Sequence, residues 1–313
     1  NLHPQIVNVL ASWLRQRSSR VVVGGMCSAV MMLSNIVFQG TVTGPMLWNI
    51  FFEDACKALN EYLFEEAVYA DDLNGYRIFS SATSDESIKS SIKLCQLELH
   101  KWGRANQVTF DPAKESWHIL SLTNSAGENF KTLGINFDGA LTMADAVAEV
   151  VTEAGWKLRT LCRTRRYYCD ADLIILYKSH VLSFLEYRTP AVYHATREVL
   201  QKLDSVQKRF LSDVGVDEIT ALMEFNLAPL RTRRDIAMLG MLHRAKLGLG
   251  PPQFRELFKP CQGGYQLRDA YEGSGRTALI RRSVWGLVAV YNRLGSGAQS
   301  IKTVADFQRY LQE

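Results

Sequence analysis

Ala67-Val68-Tyr69-Ala70-Asp71-Asp72-Leu73 places two adjacent carboxylates between strand-prone flanks. Val68, Tyr69 and Ala70 run in, while Leu73, Tyr76, Ile78 and Phe79 run out, so a tight reversal at the aspartates predicts a β-hairpin with negative charge at its tip. Such a tip suits a hard divalent cation such as Mg²⁺, which prefers carboxylate oxygens. A solvated acidic turn is the competing reading of a bare Asp-Asp pair, and the neighbouring sequence decides between them.

About thirty residues upstream lies Phe38-Gln39-Gly40-Thr41-Val42-Thr43-Gly44-Pro45-Met46-Leu47-Trp48-Asn49. Gly40 permits a close backbone approach that a side chain would block, and Gly44-Pro45 predicts a loop exit with Pro45 in the first turn of a helix. Leu47, Phe51, Ala55, Leu59 and Leu63 follow at helical spacing. Together with Tyr69 to Asp72, this arrangement resembles the reverse transcriptase of LINE-type (non-LTR) retrotransposons. Phe38 departs from the pattern, since that family usually has Pro before Gln-Gly.

The resemblance continues in order along the chain. Thr83-Ser84-Asp85-Glu86 forms a capping-box pattern, and Ile88, Ile92, Cys95, Leu99 and Trp102 mark one face of a long amphipathic helix. Asn106-Gln107-Val108-Thr109-Phe110-Asp111-Pro112-Ala113-Lys114 is similar to the family's Asn-Pro-x-Lys segment. Lys131-Thr132-Leu133-Gly134-Ile135-Asn136-Phe137-Asp138 looks like its primer-gripping hairpin, where Gly134 lets a strand pass close to the backbone. Beyond it the chain reads as helical. Trp156, Leu158 and Leu161 interleave with Arg159, Arg163 and Arg166, a spacing that predicts three guanidiniums on one helix face. Leu200, Leu203, Val206 and Phe210 form the next apolar stripe. Gly263, Gly264, Gly273 and Gly275 mark a flexible joint before a helix bearing Ile280, Val284, Leu287 and Tyr291. The tail, Tyr291-Asn292-Arg293-Leu294 followed by Ile301, Val304, Phe307 and Leu311, also resembles the family's closing pattern.

The resemblance implies an α+β fold, a partial right-hand polymerase palm (an antiparallel sheet with helices) followed by an all-helical thumb and connection. The expected divisions are residues 1–140, 141–260 and 261–313. It implies RNA-directed DNA synthesis by two-metal transfer, with an RNA template, a DNA primer and deoxynucleoside triphosphates. Asp71 would be the principal Mg²⁺ ligand and Asp72 its acidic partner. Gln39 and Gly40 would shape the nucleotide site, Tyr69 would pack near the primer terminus, and Lys114 would offset charge on the leaving pyrophosphate. Leu133 and Gly134 would grip the primer, and Arg159, Arg163 and Arg166 would hold the nucleic-acid backbone.

A two-metal palm also carries a catalytic Asp on an earlier strand, yet Asn1 to Phe38 contains no Asp or Glu. Leu2-His3-Pro4-Gln5-Ile6, Trp13-Leu14-Arg15-Gln16-Arg17 and Arg20-Val21-Val22-Val23 resemble the helix and hairpin that follow that strand. The expectation is therefore a fragment that begins after the first catalytic motif and is nearly inactive alone. The alternative is a non-catalytic retroelement remnant that binds RNA or DNA.

Charge and composition bear on partners. Residues 1–150 hold 11 basic against 16 acidic side chains, net −5, and residues 151–313 hold 25 against 16, net +9. An acidic lobe that concentrates cations and a basic lobe that follows phosphates fit this asymmetry. The six cysteines lack metal-ligand spacing and read as reduced thiols of an intracellular protein, nuclear or cytoplasmic. Residues 21–38 are apolar but interrupted by Gly24, Gly25, Ser28, Ser34 and Asn35, which predicts a hairpin rather than a membrane span.

Overall fold

A computed structural model describes residues 3–33, 40–121, 125–250, 254, 258, 267 and 277–312. The chain divides into two compact units, Asn1–Trp117 and His118–Glu313. Gln39 and most of the expected joint at 261–276 lie outside the described residues.

The first unit opens with α1 (Pro4–Leu14), then a ladder in which β1 (Arg17–Ser19) pairs with β4 (Met31–Leu33) and β2 (Val22–Val23) with β3 (Met26–Cys27), all antiparallel. Gly24 and Gly25, with φ of 56° and 79°, close it in the left-handed region that glycine enters without steric cost. The expected hairpin is therefore present. Next come α2 (Gly44–Asn60), β5 (Glu65–Tyr69), β6 (Asp72–Tyr76) and α3 (Asp85–Ala105). Pro45 sits in the first turn of α2 as the pattern predicts.

Two local expectations shift. The buried face of α2 is Phe52, Ala55, Cys56, Ala58 and Leu59, while Phe51 and Leu63 are exposed. The cause is the turn after Asn60, which takes Leu63 off the helix into a left-handed conformation with φ 63° and buries Phe64 instead. The N-cap of α3 is Ser84, whose hydroxyl accepts from Ser87 N, one residue later than the capping-box pattern places it. Ile88 and Cys95 of α3 are buried, and Ile92 and Leu99 pack on the cluster of Leu59, Phe64 and Cys95.

Among the described residues the second unit contains an isolated antiparallel bridge between Ile119 and Ala126 and one short antiparallel pair, β7 (Phe130–Thr132) and β8 (Ile135–Phe137), and is predominantly helical from Ala144 onward. Its helices up to residue 246 include α4 (Ala144–Arg163), α5 (Asp170–Tyr177), a π-helical turn Lys178–Leu182, α6 (Ser183–Tyr187), α7 (Thr189–Val192), α8 (Arg197–Val214), α9 (Glu218–Met223) and α10 (Leu230–Lys246), and short helices, among them Ser296–Gln299 and Val304–Tyr310, follow residue 277. Leu158, Tyr177, Leu203, Val206 and Phe210 form its main core, with the Tyr177 and Phe210 rings stacked at 4.1 Å. A second cluster gathers Leu242, Tyr291, Ala298 and Phe307.

The unit boundary falls near residue 117 rather than 140, because Ile135 and Phe137 pack against the helical core and carry the β7–β8 hairpin with it. The expected helix through Ile280, Val284, Leu287 and Tyr291 is interrupted. Extended backbone at Ser283 (ψ 179°) separates Ala278–Arg282 from the 3₁₀ turn Val284–Leu287, and Val288–Arg293 follows. The Ser283 hydroxyl caps the new start by accepting from Trp285 N. The antiparallel strands form separate two-stranded pairs among the described residues, not one sheet.

Candidate active site

β5 and β6 pair with Tyr69 opposite Asp72, Val68 opposite Leu73 and Glu65 opposite Tyr76, so Ala70-Asp71 is a two-residue turn. Ala70 has φ 55° and Asp71 does not share that sign, the pattern of a type II′ turn, whose first position normally holds Gly. The strand period assigns the faces. Leu73 packs on the Leu59 and Phe64 cluster, and a Cβ at Gly75 would lie 3.3 Å from Leu59 Cδ2, so residues 66, 68, 73 and 75 face the helices. Tyr69, Asp72, Asn74 and Tyr76 therefore share the opposite, solvent face. Tyr69 is 66% exposed, and both aspartates are exposed. Neither Asp71 nor Asp72 makes a side-chain hydrogen bond or ion pair among the described residues.

The turn is tied down from below. Trp48 Nε1, one turn into α2, donates a 2.8 Å hydrogen bond to Ala70 O. The Trp48 ring stacks on Phe52 at 5.0 Å, and Phe52 meets Trp102 of α3 edge-on at 5.8 Å. Gly40, four residues before α2, is left-handed at φ 84° with open space where a Cβ would stand. The loop that carries Gly40 thus leads into the helix that holds the aspartate turn. On the solvent face Tyr76 Oη donates to Glu65 at 2.6 Å, and this bond, with burial adding, pushes the phenol up to about 12.

The carboxylate pair offers hard oxygen donors suited to Mg²⁺. Among the described residues no group of three or more His, Cys, Asp or Glu side chains converges on one metal position, so no third such side chain joins Asp71 and Asp72. Lys114 is exposed on a turn in which Asp111 O accepts from Lys114 N at 2.9 Å and Asp111 Oδ1 accepts from Ala113 N at 3.0 Å. Glu115 anchors that turn to α3 through His100 at 2.9 Å. Among the described residues no hydrogen bond or ion pair joins Lys114 to either aspartate.

In the helical unit Leu133 (φ 49°) and Gly134 (φ 76°) form the β7–β8 turn with both residues left-handed, the type I′ pattern. Phe130 and Phe137 stack across the hairpin at 5.3 Å, and the His118 ring lies 4.3 Å from Phe130. Arg159 and Arg163 are exposed one turn apart on α4, and the Arg159 guanidinium lies 4.1 Å above the Trp156 ring. Arg166 does not continue that face. α4 ends at Arg163, and Arg166 sits in a 3₁₀ turn where it packs on Tyr167 and donates to its hydroxyl at 2.6 Å. The reason is local, since Thr164 Oγ1 turns back to bond Leu161 O at 2.8 Å and the helix tightens there.

Residue-type patterns did not single out Trp48 as the clamp or Glu65 as the partner of Tyr76. The register of the hairpin is the signal that finds the second pair, because residues directly opposite on one face interact. Among the described residues no helix is long and apolar enough to cross a membrane.

The unit defined by this geometry is an α+β one, with an exposed paired-aspartate turn held by a helix, followed in the chain by a helical unit with exposed arginines. Over 239 residues, 68% of its length, the chain is 24% identical to "RNA-directed DNA polymerase from mobile element jockey" of Drosophila funebris. This similarity supports a relationship to reverse transcriptases, and the matched residues span 25% of that protein. No protein-family profile matches the chain, and no solved structure matches it.

Proposed function

We propose that the chain is a portion of a non-LTR retroelement reverse transcriptase, with a partial palm first and thumb and connecting helices after it. One observation carries the reading: Asp71 and Asp72 stand exposed and unpaired on a strained two-residue turn that the helix following Gly40 clamps. A turn held in the left-handed region by a residue other than Gly costs stability, and such strain collects at functional positions. Asp71 would be the principal ligand for Mg²⁺ and Asp72 its partner, and the ion held there would supply positive charge beside the primer hydroxyl and the triphosphate. Tyr69 lies opposite Asp72 on the same face, where the primer terminus packs. Gln39 and Gly40 border the nucleotide, Lys114 offsets pyrophosphate charge, Leu133 and Gly134 steady the primer, and Arg159, Arg163 and Arg166 take the nucleic-acid backbone. The RNA template, DNA primer and deoxynucleoside triphosphates are the substrates.

A second reading is nucleic-acid binding without catalysis, supported by the lack of any Asp or Glu from Asn1 to Phe38 that could add a third carboxylate. Two measurements separate the readings. Titration with Mn²⁺ should broaden the amide resonances of Tyr69 to Asp72 and fail to do so in Asp71→Asn; an unbroadened wild-type turn removes the metal site. Primer extension on an RNA template, abolished by Asp71→Asn, then establishes polymerisation, whereas metal binding with no extension supports the remnant.

A further inference from the structure

The helical unit contains a cleft of about 590 Å³ between α8, the start of α10 and the Ala278–Leu287 segment. Six basic and three acidic side chains line it, net +3. The acids are already engaged. Asp204 pairs with Arg234 at 2.7 Å, Glu218 with Lys208 at 3.8 Å, and Asp235 accepts from the Tyr193 hydroxyl at 2.6 Å. Arg197, Arg231, Arg281 and Arg282 remain with no carboxylate at ion-pair distance among the described residues; Arg282 Nε donates to the carbonyl of His194 at 3.1 Å.

Two further observations point to a ligand. α10 begins beside the cleft at Pro229 and Leu230 with no side-chain cap and no acidic residue in its first turn, where Arg231 stands instead. The positive end of a helix disfavours a cation, so this placement is unfavourable unless an anion joins it. Arg234, one turn further on the same face, is 3% exposed and holds Asp204, so that carboxylate is neutralised within the cleft. Gln207, 4% exposed, also lines the cleft; its Nε2 donates to Ala228 O at 3.0 Å, and its Oε1, which has no partner, can accept from a hydroxyl or amine of a ligand but not from a phosphate oxygen. A buried Gln with an unused acceptor, beside arginines that no carboxylate holds, is a feature of a polar binding site.

We propose that this cleft binds a phosphate-bearing ligand. Guanidinium forks match phosphate oxygens two at a time, and the volume admits a nucleotide. The same chemistry is presented by a free polyphosphate and by the backbone of an RNA strand. The site is independent of the aspartate hairpin.

The test is calorimetric titration of the 313-residue chain with sodium tripolyphosphate, ATP and a six-nucleotide oligouridylate, beside Arg231→Gln/Arg281→Gln and Arg231→Lys/Arg281→Lys. Wild type should bind at least one probe, the glutamine pair should weaken it tenfold or more, and the lysine pair should recover part of the loss. Binding of ATP and tripolyphosphate alone assigns a free polyphosphate ligand, and binding of the oligonucleotide alone assigns an RNA backbone. No binding of any probe by wild type, equal binding by the glutamine pair, or a lysine pair that folds yet binds no better than a neutral one overturns the proposal.

Discussion

Trp48 and Ala70, 22 positions apart, are joined by a 2.8 Å hydrogen bond from the indole Nε1 to the carbonyl oxygen of the aspartate turn. Through it, a helix that starts just after Gly40 sets the position of a turn whose own sequence does not favour its backbone conformation.

Trp48→Phe retains an aromatic ring to stack on Phe52 and removes the donor. The loss should cost about 0.5–1.5 kcal/mol, the net worth of such a bond. Amide hydrogen exchange at Asp71 and Asp72 should speed up several-fold while exchange in α3 stays near wild type. Unchanged exchange at the turn would show that the helix does not clamp it.

Ala70→Gly removes a left-handed penalty of about 1–2 kcal/mol and adds a glycine entropy cost of about 0.5–1 kcal/mol. A net gain of roughly 0.5–1 kcal/mol follows from these terms. Urea denaturation read by Trp fluorescence should show a higher midpoint, and a lower one contradicts the turn geometry.

Gly103→Ala places a methyl group 2.7 Å from Val108 O and 2.9 Å from Phe110 Cε2. The backbone carbonyl cannot yield as a flexible side chain would. The expected cost is about 1–3 kcal/mol, seen as a lower melting temperature.

Arg159→Ala/Arg163→Ala tests the exposed stripe of α4. If both guanidiniums contact phosphates, the dependence of binding to an RNA–DNA duplex on salt should lose about one unit of log–log slope for each arginine. An unchanged slope in fluorescence anisotropy removes these residues from the interface.

His243 carries a pH prediction. Buried, it stacks on Phe307 at 4.1 Å, and its two nitrogens meet Tyr291 Oη and Ile301 O, each at 2.8 Å. Burial holds its pKa below the ordinary histidine value, against the Ile301 hydrogen bond and with Lys246 adding to the depression. Burial pushes His118 and His194 the same way. The unfolded chain then binds more protons than the folded one, so stability is full above about pH 6.5 and falls as the pH drops below it. Denaturation midpoints at pH 7.5 and 5.5 should differ in that direction, and His243→Gln should show a shallower fall.

Local chemistry in the sequence determined the elements around the site. Alternation about Asp71-Asp72 marked a hairpin, Gly24-Gly25 and Leu133-Gly134 marked turns, Gly44-Pro45 marked a helix start, and the stripe Leu203, Val206 and Phe210 marked a buried face. Each depends on residues within a turn or two of one another. Local spacing also misled where a backbone break intervened: the Ser283 interruption, the 3₁₀ turn that moves Arg166 off α4, and the turn that exposes Leu63. The Trp48 clamp, the transfer of the β7–β8 hairpin to the helical unit, and the gathering of Arg197, Arg231 and Arg281 around one cleft were decided by tertiary structure. They join residues as far apart as Trp48 and Ala70, 22 positions, and Arg197 and Arg281, 84 positions, and periodicity within one element is set by its own backbone geometry, which says nothing about which distant face will cover it.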